Sequence, residues 1–191
     1  EARPDHRWDI EIEQGNWIQV APSDELSLNI NITNIGNTND VLTLTPTFSL
    51  QYVGNDNSIW EASPLNSTRL EVMEAEIIVI NLTIPEDAWA GTVANLTLIA
   101  SSSGFGIGDE TNIELEVENV AGWRLDLSNT SLEVPPEGGE LEILVEQKGN
   151  DPAMPYFTKA GQGWNVTLPN NGPVINPGES SLFTMTVYPP E

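Results

Sequence analysis

A hydrolytic or metal centre needs nucleophiles, bases or ligands at close spacing, and this chain offers few of them. His6 is its only histidine and it has no cysteine. A Ser–His–Asp triad, or a metal site with imidazole ligands, would depend on that one residue. It lies in the polar segment 1–7, where the expectation is a solvated side chain. Thiol nucleophiles, zinc–thiolate sites and disulfides are excluded. Carboxylate pairs are plentiful, but an acidic surface produces them without any cleft. Gly104-Phe105-Gly106-Ile107-Gly108 lacks the dinucleotide-binding spacing and no helical pattern follows it, so a hairpin loop is expected there. No catalytic and no cofactor-binding residue is assigned.

Calcium takes about six to eight oxygens converging from loop carboxylates and carbonyls. The loops that could offer them are Asn37-Thr38-Asn39-Asp40, Gly54-Asn55-Asp56-Asn57 and Asp109-Glu110. None follows the D-x-[DN]-x-[DN]-G pattern, so no metal ligand is assigned and calcium stays an alternative. N-x-[ST] sequons stand at Asn31, Asn66, Asn81, Asn95, Asn129 and Asn165. They mark candidate N-glycosylation sites, although strands with outward Asn and Thr generate the same tripeptides.

The elements that must position these residues are announced by a repeat. Trp8 opens Trp8-Asp9-Ile10-Glu11-Ile12, and Trp123 opens Trp123-Arg124-Leu125-Asp126-Leu127. Each leads on to a short polar turn, Asn34-Ile35-Gly36-Asn37 and Gln147-Lys148-Gly149-Asn150. Trp60 then stands as far before Pro85 as Trp164 stands before Pro189. Landmarks in fixed order are the signature of internal duplication, and duplicated small β units serve more often as spacers or binders than as enzymes. In the turns, Gly and Asn are expected to supply positive φ. The tryptophans are expected to anchor core or interdomain packing, with Trp89 the one expected to be partly exposed; a row of exposed rings would instead suggest a sugar platform.

Between the landmarks, apolar and polar residues alternate. Leu26-Ser27-Leu28-Asn29-Ile30-Asn31-Ile32 and Ile113-Glu114-Leu115-Glu116-Val117-Glu118 do so strictly. That is the mark of antiparallel strands with one face on a core. The spacing predicts strands near 8–20, 25–34, 41–52, 59–72, 76–84, 92–101 and 111–119, the number in an immunoglobulin-like sandwich. Glu71–Glu76 is the only helical candidate, and no more than a turn.

The domains read as 1–119 and 120–191, joined at Asn119-Val120-Ala121-Gly122. In the first, Ile84-Pro85 is followed by two more strands. In the second, Tyr188-Pro189-Pro190-Glu191 reaches the same point, and roughly the last two strands are absent. A sheet lacking strands leaves unpaired backbone and an open core. The expectation is a fragment of a longer array, with completion by another chain, and hence an oligomer, as the alternative. Residues 1–7, with Pro4, make a poor donor strand.

The chain carries 29 acidic residues against 6 basic, a net charge of −23 over 191 residues. Most of the excess lies in 1–119. Nucleic acid and anionic membrane surfaces need a basic footprint and are excluded as partners. With 39% hydrophobic residues in alternating runs, the chain is not a disordered acidic segment. An acidic exterior keeps a protein soluble, and having only Lys148 and Lys159 as lysines tilts towards a saline habitat. No apolar run reaches the ~20 residues that a membrane helix needs. The first residue is Glu1, which reads as a mature product or an excised fragment.

Gly149-Asn150, Gly163-Trp164-Asn165-Val166, Asn176-Pro177-Gly178-Glu179 and Val187-Tyr188-Pro189-Pro190, with their first-copy counterparts, resemble the immunoglobulin-like repeats of prokaryotic cell-surface proteins. These include cell-adhesion-related repeats and the modules attached to secreted glycosidases. The chain departs from them in the longer segment between Asn37 and Trp60 and in the missing end of the second copy. The resemblance implies an all-β chain of tandem immunoglobulin-like (fibronectin III-like) antiparallel β-sandwiches, with no catalytic residue to carry over. It implies a non-catalytic extracellular spacer, stalk or adhesion module. Its partners would be other domains of the same surface protein, or protein and glycan ligands. Two alternatives stand beside it: a carbohydrate-binding accessory module of a secreted hydrolase, and a strand-exchanging subunit of a surface assembly.

Overall fold

In the computed structural model of this chain, residues 3–102, 106–128, 133–159, 163–169 and 172–190 are described. All the regular elements among them are strands. They are β1 (Trp8–Ile12), β2 (Trp17–Val20), β3 (Glu25–Asn34), β4 (Asp40–Gln51), β5 (Glu61–Ala62), β6 (Thr68–Leu70), β7 (Ala75–Thr83), β8 (Val93–Ser102) and β9 (Gly106–Val117). Then follow β10 (Trp123–Leu127), β11 (Gly139–Gln147), β12 (Asn165–Thr167) and β13 (Ser180–Tyr188). The chain divides into two compact units, Glu1–Glu118 and Asn119–Glu191.

Unit 1 has two sheets. One runs β1-β3-β7-β5, the other β2-β9-β8-β4-β6. Period-two alternation puts Ile10 and Ile12 of β1, Leu28, Ile30 and Ile32 of β3 and Ile80 and Leu82 of β7 on one face of the first sheet. Leu96, Leu98, Ile113, Leu115 and Val117 of the second sheet join them in one buried cluster. β4 is bonded to β6 only over Asp40–Leu42, so Pro46 sits where the strand has a single neighbour, β8, and its missing N–H is tolerated.

The expected strand 8–20 is two strands in two sheets. The chain turns at Gly15, where φ is +89° and the Gly15 N–H bonds Ile12 O, and β2 crosses to pair in parallel with β9. The second sheet of unit 1 is therefore mixed, while the first is wholly antiparallel, which corrects the purely antiparallel expectation for that one sheet. The segment 59–72 likewise forms two short strands, β5 and β6, on either side of Pro64. Glu71–Glu74 is a turn, after which β7 begins. Residues 106–108 belong to β9 and not to a loop; 103–105 fall outside the described residues. β8 and β9 slip register at Ala100/Ser101, which leaves Gly108 as the extra residue.

Unit 2 has one four-stranded sheet, β10-β11-β13-β12, all antiparallel. Its order and register repeat those of the first sheet of unit 1. Trp123 faces Gln147 as Trp8 faces Asn34, and Ile143 faces Phe183 as Ile30 faces Ile78. The Asp40–Leu70 pairing, where β4 begins and β6 ends, returns as an isolated bridge, Ala153–Ile175. The core is small: Ile143, Val145, Ile175 and Phe183, with Phe157 and Met185 against them.

Candidate functional site

The polar turns of the repeat are built alike. In unit 1 the Gly36 N–H donates to Asn34 Oδ1 (3.0 Å), and Asn34 Nδ2 donates to Thr38 O (2.9 Å). In unit 2 the Gly149 N–H donates to Gln147 Oε1 (3.0 Å), and Gln147 Nε2 donates to Asp151 O (2.8 Å). Each turn receives the segment that enters its unit. Ile35 and Asn37 N–H groups bond Arg7 O and Asp5 O; Lys148 and Asn150 N–H groups bond Gly122 O and Val120 O. Neither glycine is among the positive-φ residues, so turn conformation is not the reason for it. A Cβ on Gly36 would lie 2.2 Å from Asp5 O, and one on Gly149 2.4 Å from Val120 O. Close backbone approach is what demands glycine there.

Segment 1–7 is thus docked over its described part. Asn37 Nδ2 also donates to Arg3 O, and the Asp5 N–H donates to Asn37 Oδ1. His6 is not solvated as expected: its side chain is 12% exposed, and its Nδ1 lies 2.8 Å from Asp40 Oδ2. Asp40 also accepts from the Val41 N–H and bonds the Ser102 hydroxyl, which in turn accepts from Trp8 Nε1 (2.9 Å). Burial raises the Asp40 pKa, but the bonds from Ser102, His6 and Val41, with the attraction of His6, outweigh it and hold the carboxyl below its ordinary value. His, Asp and Ser meet here in the wrong order for acyl transfer. The carboxylate stands between the imidazole and the hydroxyl. The group ties β1, β4 and β8 to the entering segment.

Asp56 is the second buried carboxylate. It accepts from the Thr92 hydroxyl (2.5 Å) and the Trp89 and Ser58 N–H groups (3.0 and 2.8 Å). Burial again raises its pKa and these donors, Thr92 foremost, bring it below the ordinary value. Several oxygens of the candidate calcium loops are engaged in such bonds. Asn37, Asn39 and Asp40 each accept from a backbone N–H, Asp56 is enclosed, and Asp109 Oδ1 accepts from Glu110 N–H. Among the described residues, no three His, Asp or Glu side chains gather as a metal site. An open groove of about 790 Å³ runs beside Ile59, Glu61, Asn81 and Glu86, with neither His nor Lys in its lining.

Of the sequon residues, Asn31, Asn81, Asn95 and Asn165 lie on β3, β7, β8 and β12, and Asn66 lies exposed between β5 and β6. Asn81 accepts from the Ser27 hydroxyl. Asn95 Oδ1 is buried without a hydrogen-bond partner. Asn129 lies outside the described residues.

Only some of the tryptophans are buried, which corrects the expectation that they anchor packing throughout. Trp8 and Trp60 are buried, and Trp89 is half-buried over Gly54. Trp17, Trp123 and Trp164 are exposed, more so than Trp89. Trp164 precedes β12 and Trp123 opens β10, the two outer strands of one sheet and roughly 14 Å apart at the usual strand spacing, so they form no adjoining row. Trp8, Ile10 and Ile12 are 2%, 7% and 6% exposed; their counterparts in unit 2, Trp123, Leu125 and Leu127, are 39%, 59% and 47% exposed. In unit 1 the cover is β8 and β9: the Trp8 ring lies against Gly108, where a Cβ would come within 2.6 Å of it. That the bare apolar face falls on β10 needed the register.

No family model matches the chain, and no curated protein does. Among solved structures it is similar to a protein of unknown function from Porphyromonas gingivalis W83, at 16% identity over 94% of this chain and 83% of that one, with TM-score 0.34. It is similar to the YadV chaperone, at 15% identity over 94% and 85%, with TM-score 0.37. It is also similar to a chain from a chaperone–tip adhesin complex of CFA/I fimbriae biogenesis, at 9% identity over 97% and 86%, with TM-score 0.38.

Proposed function

We propose that the chain is a non-catalytic structural module of an extracellular surface protein, two tandem immunoglobulin-like units acting as a spacer, stalk or adhesion segment. One observation carries this reading: the same latch, Asn34 with Gly36 and Gln147 with Gly149, closes two sheets of the same order and register. Units repeated along a chain set distance and orientation. The strand orders of unit 1 match the A-B-E-D and C-F-G sheets of an immunoglobulin-like domain, β2 being a displaced continuation of the first strand, which supports the finer fold assignment. The buried polar groups serve the fold, and the acidic exterior keeps neighbours apart.

The open face of β10 favours one second reading, a subunit that accepts strands from another chain in a surface assembly. Size-exclusion chromatography with light scattering, with EDTA and with millimolar calcium, tests the first reading. A monomer unaffected by calcium is expected. A calcium-dependent change of state would make the acidic loops metal sites and overturn it.

A further inference from the structure

The groove beside Ile59 lies at the edge of the first sheet of unit 1, where β5 is the outer strand. The Ser63 N–H bonds Asn81 O, and Glu61 and Ala62 face Thr83 and Leu82. Backbone groups alternate in side along a strand, so those of Ala62 turn away from β7, toward the open edge. Ile59 stands at the rim, 77% exposed between Ser58 at 1% and Trp60 at 7%. Ser58 is fixed at three atoms. Its N–H donates to Asp56 Oδ1, its carbonyl accepts from the Tyr52 hydroxyl, and its own hydroxyl accepts from Trp60 Nε1. Buried neighbours thus hold the exposed isoleucine in place, as a preorganised anchor is held. Glu61 and Glu86 line the same groove with exposed side chains, beside Pro85.

The lining selects the ligand. Among the described residues that form it there is no Lys, Arg or His to hold a phosphate or carboxylate group, and no aromatic ring on which a sugar would stack. It offers two carboxylates, apolar side chains and a strand edge, which suit a cation carried on an extended backbone. We propose that this groove binds a basic, extended segment of a partner protein. The segment lies along β5, bonds the backbone of Ala62, sets a Lys or Arg side chain against Glu61 and Glu86, and packs an apolar side chain on Ile59. The groove is complete within residues 23–86, so it owes nothing to where the chain stops. It is rimmed with polar groups and calls for no cover. The chain has only 6 cationic side chains of its own, and Arg7, Arg124 and Lys148 already pair with carboxylates. A basic partner therefore fits the charge better than a second copy carrying −23.

The test uses the full chain at about 0.15 M salt, where exposed charges more than about 8 Å apart are largely screened and diffuse attraction to the acidic surface is weak. Three blocked hexapeptides are the probes: alternating valine and lysine, alternating serine and lysine, and alternating valine and glutamate. Amide shifts in nuclear magnetic resonance report where each lands. The valine–lysine peptide binds saturably and shifts Ile59, Glu61, Ala62 and Thr83, and the other two bind at least about tenfold more weakly. Glu61→Gln with Glu86→Gln loses at least about tenfold in affinity. Glu11→Gln with Glu110→Gln, which removes the same charge from β1 and β9, changes it by less than about twofold. Ile59→Ser weakens binding several-fold with every charge in place. The proposal fails if the valine–lysine peptide does not bind or its shifts spread over the acidic surface. It fails equally if the serine–lysine peptide binds as well, or if both double variants weaken binding alike. A dimer of the chain alone that shifts the same amides assigns the groove to a second copy and overturns it too. Failure here leaves the tandem-unit reading as it stands, since that reading rests on the latches and not on this groove.

Discussion

Asn34 and Gln147 hold the same place in the two units, and each closes its turn with the same pair of bonds, one from a glycine N–H and one to a carbonyl four residues on. Both side chains are buried, so truncation strands the carbonyl in each unit and, in unit 1, the glycine donor; the Gly149 N–H keeps a second acceptor in Gly122 O. Asn34→Ala and Gln147→Ala should each cost about 1–3 kcal/mol. Urea denaturation followed by circular dichroism measures this; a cost under half a kcal/mol in both would mean the latch does not hold the sheets.

Gly36 and Gly149 make a matched pair. A methyl group on either meets a carbonyl oxygen of the entering segment. Gly36→Ala and Gly149→Ala should destabilise their own unit by about 1–3 kcal/mol, the usual range for overpacking. Gly163, which meets nothing within 4 Å but has φ of +93°, tests the separate cost of conformation.

Met73 and Gly178 occupy equivalent turns. Each is third in a turn whose fourth N–H bonds the first carbonyl, and each donates to the carbonyl of its latch residue, Asn34 or Gln147. Met73 has φ of +65° and is 71% exposed, so it bears the left-handed strain with little packing in return. Met73→Gly should raise stability by up to about 1 kcal/mol after the entropy glycine adds to the unfolded chain. A fall in melting temperature would contradict this.

Much of this was legible in the sequence because it is local. Alternation places Leu28, Ile30 and Ile32 on one face whatever their neighbours, and duplication of Trp8 and its turn shows two units before any sheet is seen. What escaped is non-local. His6 looks like a tail residue until Asp40 and Ser102, from β4 and β8, are brought to it. The parallel pairing of β2 with β9 joins residues nearly a hundred positions apart. Trp8 and Trp123 have matching contexts and opposite burial, because burial depends on the strands that lie over them.

Acid should unfold unit 1 through Asp40 and Asp56. Both carboxyls titrate lower in the folded chain than the ordinary 3.8, so the unfolded chain binds more protons between the two values. Their stabilisation is complete above about pH 5 and disappears as the pH falls through the folded values. Melting temperature should fall steeply below about pH 4. In Asp56→Asn, where an amide N–H₂ competes with the Thr92 and Trp89 donors, the melting temperature at pH 7 should be lower and the acid slope shallower. An unchanged slope would remove Asp56 from the account.

Hydrogen exchange on the full chain compares the two units most directly. β1 and β10 are both outer strands paired on one side, with the same register, and differ in having a second layer over them. The amides of Leu125 and Leu127 should exchange at least about tenfold faster than those of Ile10 and Ile12. Equal protection of β10 and β1 would contradict the account, for it would mean that the second unit is covered as fully as the first.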